Sequence, residues 1–210
     1  MPKITDIAHQ KKRDQFYSIF VDEEFSFSLS DLELSLSGLS VGRELSAAEV
    51  QEWRERSVLA KAVGRAQYYL SFRPRTVTEV RRYLIGKDYE PDIVELVIAK
   101  LQAYGQLGDE QFARDWVRMR QATKPRSKRE LQQELRKLGV ASEVVDIVLE
   151  DQVDEVTGEA VGDVAAIVSL VTKKRLTERY PDGRKLVEYL GRKGFGYHDI
   201  KAALDQLDEA

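Results

Sequence analysis

The sequence predicts a mainly α-helical protein, built from tandem three-helix repeats and preceded by a small N-terminal β-hairpin or sheet module. Two observations lead to this prediction. A phrase containing proline, arginine, a hydroxyl residue and glutamate occurs at residues 73–84 and again, 51 positions later, at 124–135. Recurrence at a fixed period indicates stacked helical units. Residues 4–30 instead alternate polar and apolar side chains, which is typical of strands.

The N-terminal module is predicted over residues 1–45. Alternation predicts strands at 15–22 and 24–30, joined by a short acidic connection, and a third strand at 4–9. Three strands are stable only when one of their faces is covered. The apolar segment 32–39 is a candidate cover, as is the helix that begins after Ser46, where Glu49 completes a capping box.

The repeated phrase predicts a helix N-terminus in each copy. Thr76 and Ser127 are placed to accept a hydrogen bond from a free N–H of the first helical turn. Glu79 and Glu130 follow three residues later and complete the pattern of a capping box. A weaker third copy places Asp182 at the cap position and loses the glutamate.

Each repeat is predicted to have one helix before this phrase and another after the phrase helix. The preceding helices are expected at roughly 58–72, 109–121 and 158–179. Three units of three helices then follow the N-terminal module, with boundaries at 46–107, 108–155 and 156–210. Arrays of this kind usually provide extended binding surfaces.

Composition limits the function classes. Charged residues make up 33% of the chain and hydrophobic residues 42%, which is typical of a water-soluble helical protein. There is no cysteine, so disulfides and thiolate metal sites are excluded. No secretory leader or long apolar segment is recognisable. We therefore expect a cytoplasmic monomer with no membrane partner.

Basic residues cluster within the repeats although the net charge is −3. Arg73 and Arg75 belong to the first cluster, and the second contains Lys124, Arg126, Lys128 and Arg129. A single cluster of this kind is usually a solvated helix face. Recurrence at one place in each repeat favours a continuous basic stripe that could face an anionic partner.

Catalytic motifs are not recognisable. His9 and His198 have no partner at metal-ligand spacing, and the glycine-rich segment 191–196 is typical of a helix C-cap and turn. Phe112 and Trp116 lie four residues apart, which favours core packing, although an exposed Trp116 could anchor a partner or stack on a base. The sequence thus predicts neither an enzyme nor a metal or cofactor site.

A family resemblance emerges from one longer motif. The segment 107–120, which reads LGDEQFARDWVRMR, is followed by Pro-Arg-Ser at 125–127 and by a Glu-Leu pattern ending at Gly139-Val140. This combination resembles the central signature of RecX, the bacterial regulator of the RecA recombinase. The likeness extends more weakly from about residue 57 to the C-terminus, and the N-terminal segment resembles the extension of longer RecX proteins.

The resemblance implies three tandem three-helix repeats in an elongated, curved molecule. It also implies binding along the groove of the RecA–single-stranded DNA filament. There the protein would block filament growth or promote disassembly, and so lower ATP hydrolysis and strand exchange in recombination, DNA repair and the SOS response. Direct contact with DNA phosphates is a further expectation. The partner-facing candidates are Arg73, Arg75, Arg114, Trp116, Arg120, Lys124, Arg126, Lys128 and Arg129.

Two alternatives stay open from sequence alone. The chain could be a helical-repeat module that binds single-stranded DNA independently of RecA, which would show as salt-dependent affinity for DNA alone. An unrecognised enzyme would instead bring carboxylates or histidines with shifted pKa values together in a cleft, which we do not expect. The third repeat also lacks the arginine–hydroxyl–glutamate phrase, so equivalent contacts from all three repeats are not expected.

Overall fold

The structure, a computed structural model, describes residues 1–11, 15–150 and 162–208. These ranges contain three strands, β1 (Ile4–His9), β2 (Phe16–Val21) and β3 (Glu24–Ser30). They also contain eleven helices: α1 (Asp31–Ser37), α2 (Ala47–Leu70), α3 (Val77–Ile85), α4 (Pro91–Ala103), α5 (Asp109–Thr123), α6 (Lys128–Lys137), α7 (Ser142–Glu150), α8 (Asp163–Lys174), α9 (Leu176–Arg179), α10 (Gly183–Arg192) and α11 (Tyr197–Asp208). The predicted mainly helical fold with an N-terminal sheet is confirmed.

The chain divides into two compact units. The first contains residues 1–72 and 83–101, and the second contains 73–82 and 102–210. The predicted division into an N-terminal module and three repeats is finer and stays a prediction. Its boundary at 155 lies outside the described residues.

The sheet of the first unit is antiparallel in the order β1-β2-β3. Asp22 and Glu23 both adopt positive φ in the turn between β2 and β3, which gives the turn a backbone twist that suits a tight hairpin without glycine. One sheet face is buried, including Ile4, Ile19 and Phe27. The predicted covers are confirmed, since the core of the sheet includes Leu34, Leu39, Leu45, Val50 and Trp53.

Helix α2 fixes the sheet to the helical part of the first unit. Ser46 accepts from the Glu49 N–H at 3.2 Å while Glu49 accepts from the Ser46 N–H at 2.7 Å, so the predicted capping box forms. The Ser57 hydroxyl accepts a hydrogen bond from the buried Ser28 N–H at 3.0 Å. The sequence predicts a separate helix from residue 58, but in the structure this segment is the second half of α2, which has 24 residues. The first half of α2 covers the sheet.

Separate apolar cores hold the helices of the second unit. Helices α5, α6 and α7 share one core, whose buried residues are Phe112, Ala113, Val117, Leu131, Leu135, Val140, Val145, Val148 and Leu149. Helices α8 to α11 share another, with buried residues Ala166, Ile167, Leu170, Val171, Leu176, Leu186, Leu190, Phe195, Ile200 and Ala203. Each fully buried leucine contributes about 1.5–3 kcal/mol relative to an exposed one.

The prediction of one helix over 158–179 is wrong. Arg175 has φ +48°, a left-handed conformation that ends α8 and precedes the short α9. Val171 and Leu176 both belong to this core. Residues five positions apart point in different directions on a straight helix, so the break is what allows both side chains to enter the same core. The start of the predicted helix, at 158–161, lies outside the described residues.

The capping hydroxyls make a second, long-range hydrogen bond. Thr76 Oγ1 donates to the carbonyl of Leu138 at 2.8 Å, and Ser127 Oγ donates to the carbonyl of Lys193 at 2.9 Å. Both residues are fully buried. Each hydroxyl also accepts a hydrogen bond from the N–H three residues later. One oxygen therefore bonds to a free N–H at the start of its own helix and to a free carbonyl at the end of another. The same junction therefore occurs twice along the chain.

An aspartate completes each junction. Asp109 accepts a hydrogen bond from the Val77 N–H and Asp163 accepts one from the Lys128 N–H, both at 2.8 Å. These N–H groups belong to the first residue of α3 and of α6, where a helix has no internal acceptor for them. Burial is the main cause that raises the pKa of both aspartates, and the nearby Asp199 charge further raises that of Asp163.

Glycine is required where the junction is tightest. Gly139 has φ +86°, and a Cβ there would lie 2.6 Å from Thr78 Cβ. Gly194 has φ +85°, and its Cβ would lie 2.8 Å from Ser127 Oγ. Real Cβ atoms do not approach so closely, so each glycine allows the end of one helix to reach the hydroxyl cap of another.

The two capping boxes differ in one respect. At Thr76 both halves form, with Glu79 accepting from the Thr76 N–H at 3.1 Å. At Ser127 only the hydroxyl half forms, and the Glu130 carboxylate accepts from Arg126 at 3.1 Å. The second capping box predicted from sequence is therefore half wrong.

We expect Gly139→Ala to destabilise the protein by roughly 3 kcal/mol, because it combines a left-handed alanine with a clash against Thr78. Gly105→Ala is the matched control. Gly105 has φ +65°, and no atom in the described ranges lies within 4 Å of its Cβ position, so a loss of about 1 kcal/mol is expected. Chemical denaturation of both variants measures the difference. Equal losses would show that the close approach at Gly139 contributes nothing.

The raised pKa of Asp163 predicts a pH dependence. The native state holds the Asp163 proton more tightly than the unfolded chain, so ionisation favours unfolding. We expect the free energy of unfolding of the wild type, relative to Asp163→Asn, to fall as pH rises above 3.8, the ordinary pKa of this group. Asparagine keeps the acceptor for the Lys128 N–H and has no charge to bury. The same comparison with Asp109→Asn should give the same trend. If the free energy of unfolding of the wild type, relative to either variant, rises with pH, the raised pKa of that aspartate is contradicted.

Candidate partner interface

The Glu134 carboxylate contacts three of the predicted partner-facing side chains. Its Oε2 accepts from the Trp116 indole N–H at 3.0 Å and from Arg120 Nε at 2.8 Å. Its Oε1 lies 3.7 Å from Arg126 Nε. The Arg120 guanidinium also lies 4.5 Å from the centre of the Trp116 ring, a cation–π distance. We call Trp116, Arg120, Arg126 and Glu134 the Glu134 cluster.

Helical spacing brings this cluster together. Trp116 and Arg120 are four residues apart on α5, and so are Glu130 and Glu134 on α6. Phe112 is buried and stacks on Trp116 with ring centres 5.8 Å apart. The interpretation of this aromatic pair as core packing is confirmed for Phe112, while the half-buried Trp116 keeps its N–H for Glu134.

Arg126 is fixed more firmly than a surface arginine. It bonds to Glu130 and lies beside Glu134, and its side chain is 19% exposed. Its buried Nε has no hydrogen-bond partner among the described residues. A guanidinium held between two carboxylates has little freedom to reach a partner, and removing it would leave both carboxylates without their counter-ion.

Arg73 and Arg75 form a related arrangement on Glu79. Arg73 lies 2.6 Å and Arg75 3.6 Å from Glu79 Oε1, and the Arg75 side chain is only 15% exposed. Burial by itself raises the pKa of Glu79, but the Arg73 and Thr76 hydrogen bonds and the two arginine charges together lower it. Glu79 is thus held ionised by the arginines, and Arg73 is the more accessible of the pair.

The remaining candidates face solvent to different degrees. Arg114 is half-buried and pairs with Glu110 at 2.9 Å, four residues earlier on α5. Lys124, Lys128 and Arg129 are exposed, and the described part of the chain offers none of them an ion pair. Arg136 and Lys137 extend this basic surface along α6. We call Lys124, Lys128 and Arg129 the basic edge.

The nine predicted contact residues therefore fall into two groups. Six are tied to carboxylates or the core, and the three of the basic edge are available to a partner. Sequence reasoning missed Glu134, although its position four residues after Glu130 marks it as the next carboxylate on the same helix face. Whether any of the nine touches a partner stays a prediction.

The described residues carry neither a metal-binding cluster nor a membrane-spanning helix. No group of three or more histidine, aspartate or glutamate side chains is arranged to hold a metal ion in residues 1–11, 15–150 and 162–208. Across the same ranges, no helix combines the length and apolar character needed to cross a bilayer.

Comparison with protein families gives three matches along the chain. Residues 2–46 match the regulatory protein RecX N-terminal domain, 62–101 the RecX first three-helix domain, and 109–149 the RecX second three-helix domain. These matches confirm the family resemblance that the motif at 107–140 indicates, and they confirm tandem three-helix domains.

Individual relatives agree with the family matches. The regulatory protein RecX of Bacillus subtilis (strain 168) is 32% identical over 209 residues, covering 99% of this chain and 78% of the relative. That of Listeria welshimeri is 28% identical over 215 residues, covering 99% and 79%. A crystal structure of regulatory protein RecX superposes with a TM-score of 0.73 at 26% identity, covering 98% of this chain and all of that one. RecX from Lactobacillus salivarius gives 0.63 at 25% identity, covering 73% of this chain and 98% of the other.

We expect Glu134→Ala to destabilise the protein by roughly 2 kcal/mol, because Arg120, Arg126 and the Trp116 N–H lose their shared acceptor while staying partly buried. Gln133→Ala is the matched control, since Gln133 is the exposed neighbour on the same helix and the two residues have similar helix propensity. Thermal unfolding measures both. Equal stability of the two variants would mean that the cluster does not support the fold.

Proposed function

The chain belongs to the RecX family of regulatory proteins, and on that premise we propose that it binds the RecA–single-stranded DNA filament and modulates it. Binding in the filament groove inhibits filament growth, and so lowers ATP hydrolysis and strand exchange in recombination and DNA repair. The observation that carries this proposal is the match of an N-terminal and two three-helix RecX domains along one chain. No catalytic step by the chain itself is required.

The distribution of charge supports this role. The arginines of the Glu134 cluster are neutralised by carboxylates and keep the helices in place. The basic edge, by contrast, presents exposed positive side chains that form no ion pair with the described residues. The Lys128 charge offsets part of the rise in the pKa of nearby Asp163. A partner lined with phosphates and acidic side chains would be attracted to this edge, and the effect would weaken with salt.

Lys128 and Arg129 are the residues to test, rather than Arg126. They are the first two residues of α6, where the backbone needs no positive side chain and the helix dipole disfavours one. Neutralising them should therefore leave the fold intact. Replacing Arg126 would instead leave Glu130 and Glu134 without a counter-ion, so lost activity would be ambiguous.

The test is DNA-dependent ATP hydrolysis by the cognate RecA with substoichiometric amounts of this protein. We expect inhibition by the wild type and inhibition weakened several-fold by Lys128→Gln/Arg129→Gln. Lys100→Gln/Lys201→Gln removes the same charge from exposed positions on α4 and α11 and should inhibit like the wild type.

No inhibition at any ratio, with RecA confirmed active on its DNA, would contradict the proposed function. If both double variants weaken inhibition equally, inhibition depends on overall charge and not on the basic edge. Tight, salt-dependent binding to DNA without any effect on RecA would instead favour an independent DNA-binding module.

A further inference from the structure

The first unit contains an open cleft of about 600 Å³. Its lining consists of Phe16, Ala60, Lys61, Gly64, Arg65, Tyr68, Tyr83, Lys87 and Tyr89. Sites of this size typically hold small molecules or a single residue of a larger ligand. None of the residues that form the basic edge or the Glu134 cluster lines it.

One face of α2 provides most of this lining. Ala60, Lys61, Gly64, Arg65 and Tyr68 follow the spacing that places side chains along one side of a helix. Lys61 and Arg65 are four residues apart on that face, an arrangement of like charges that weakens a helix by about 0.2–0.5 kcal/mol. Lys61 Nζ also lies 5.6 Å from the centre of the Phe25 ring. Lys61, Arg65 and Lys87 give the cleft a positive lining, which suits an anionic ligand.

Aromatic rings accompany the cations. Tyr83 is held by stacking on Tyr69, with ring centres 4.0 Å apart and planes 7° from parallel, and Lys87 Nζ lies 5.9 Å from the Tyr83 ring centre. Tyr68 is 65% exposed and meets Phe72, itself 64% exposed, edge to face. Aromatic rings left in solvent beside cations are the pattern with which proteins stack bases and neutralise phosphates of single strands.

Gly64 gives the cleft its depth. Glycine in the middle of a helix is less stable than alanine by roughly 0.5–1 kcal/mol. None of the described residues lies within 4 Å of a Cβ built at Gly64, so packing against that part of the chain does not require glycine here. Because Gly64 has no side chain, a flat group in the cleft can approach the backbone of α2 at this position.

From this combination we infer that the cleft binds one nucleotide of a single-stranded nucleic acid. The base lies among the tyrosines over Gly64, and the flanking phosphates lie against Lys61, Arg65 and Lys87. This site adds a direct contact with the DNA of the filament to the proposed function. The inference rests on the proposed function only in taking the bound strand to be the DNA of that filament. The contact itself requires no RecA.

The test is binding of a fluorescein-labelled oligothymidylate of about 20 nucleotides to the full chain at low salt, followed by anisotropy. Gly64→Leu fills the cleft, and should weaken binding about five-fold or more because it removes a stacking site. It should not lower the melting temperature, because leucine is a better helix former than glycine. Gly191→Leu is the matched control, since Gly191 is also helical, exposed and open at its Cβ position, and it should bind like the wild type.

Two further probes separate the sources of affinity. Lys87→Gln should reduce the slope of log K against log salt by about 0.7, as one phosphate contact is lost. An oligonucleotide of the same length made entirely of abasic sites should bind more weakly than oligothymidylate, because it offers the same phosphates without rings to stack. Thymidine monophosphate at the same nucleotide concentration should compete poorly, because it lacks the neighbouring phosphates.

Three outcomes would overturn the inference: unchanged binding by Gly64→Leu, equal binding of the abasic strand, or thymidine monophosphate that binds as tightly as the strand. The first two would show that no base enters the cleft, and the last that the cleft serves a free nucleotide. The RecA assay of the proposed function is independent of all three, so failure of one does not imply failure of the other.

Discussion

The helical part of the molecule depends on one oxygen that serves two helices. A buried hydroxyl, Thr76 in one place and Ser127 in another, accepts from the start of its own helix and donates to the carbonyl at the end of a later one. The net stabilisation from each hydrogen bond is only about 1 kcal/mol, but a buried carbonyl left without a donor costs more than that. The hydroxyl thus fixes which helix end meets which helix start.

Other features follow from this junction. The helix end must approach closely, which requires glycine at 139 and 194, and the first N–H of each capped helix must find an acceptor, which Asp109 and Asp163 provide. Arginines flanking the caps then pair with the glutamates of the same helices. The exposed cationic side chains of the basic edge and of the cleft over Gly64 make no hydrogen bond in this junction, and we propose them as contacts with partners.

The sequence predicts local structure well because local rules govern it. Alternation predicts the three strands, and cap spacing predicts where α3 and α6 begin, since each depends on residues within one turn or one strand. Contacts between distant residues are not visible in this way. The bond from Ser127 to Lys193 spans 66 positions, and the bond from Trp116 to Glu134 spans 18. The break at Arg175 has no proline or glycine to signal it, and the cleft at Gly64 requires three separate segments to converge.

The most direct measurement of the junction is amide hydrogen exchange at Val77 and Lys128 by NMR. First-turn amides of a helix ordinarily lack an acceptor and exchange quickly. The account predicts that these two exchange as slowly as amides inside their helices, because each donates to a half-buried aspartate. The Gly183 amide, at the start of α10 and without an acceptor among the described residues, should exchange quickly. Fast exchange at Val77 and Lys128, equal to that at Gly183, would contradict the account.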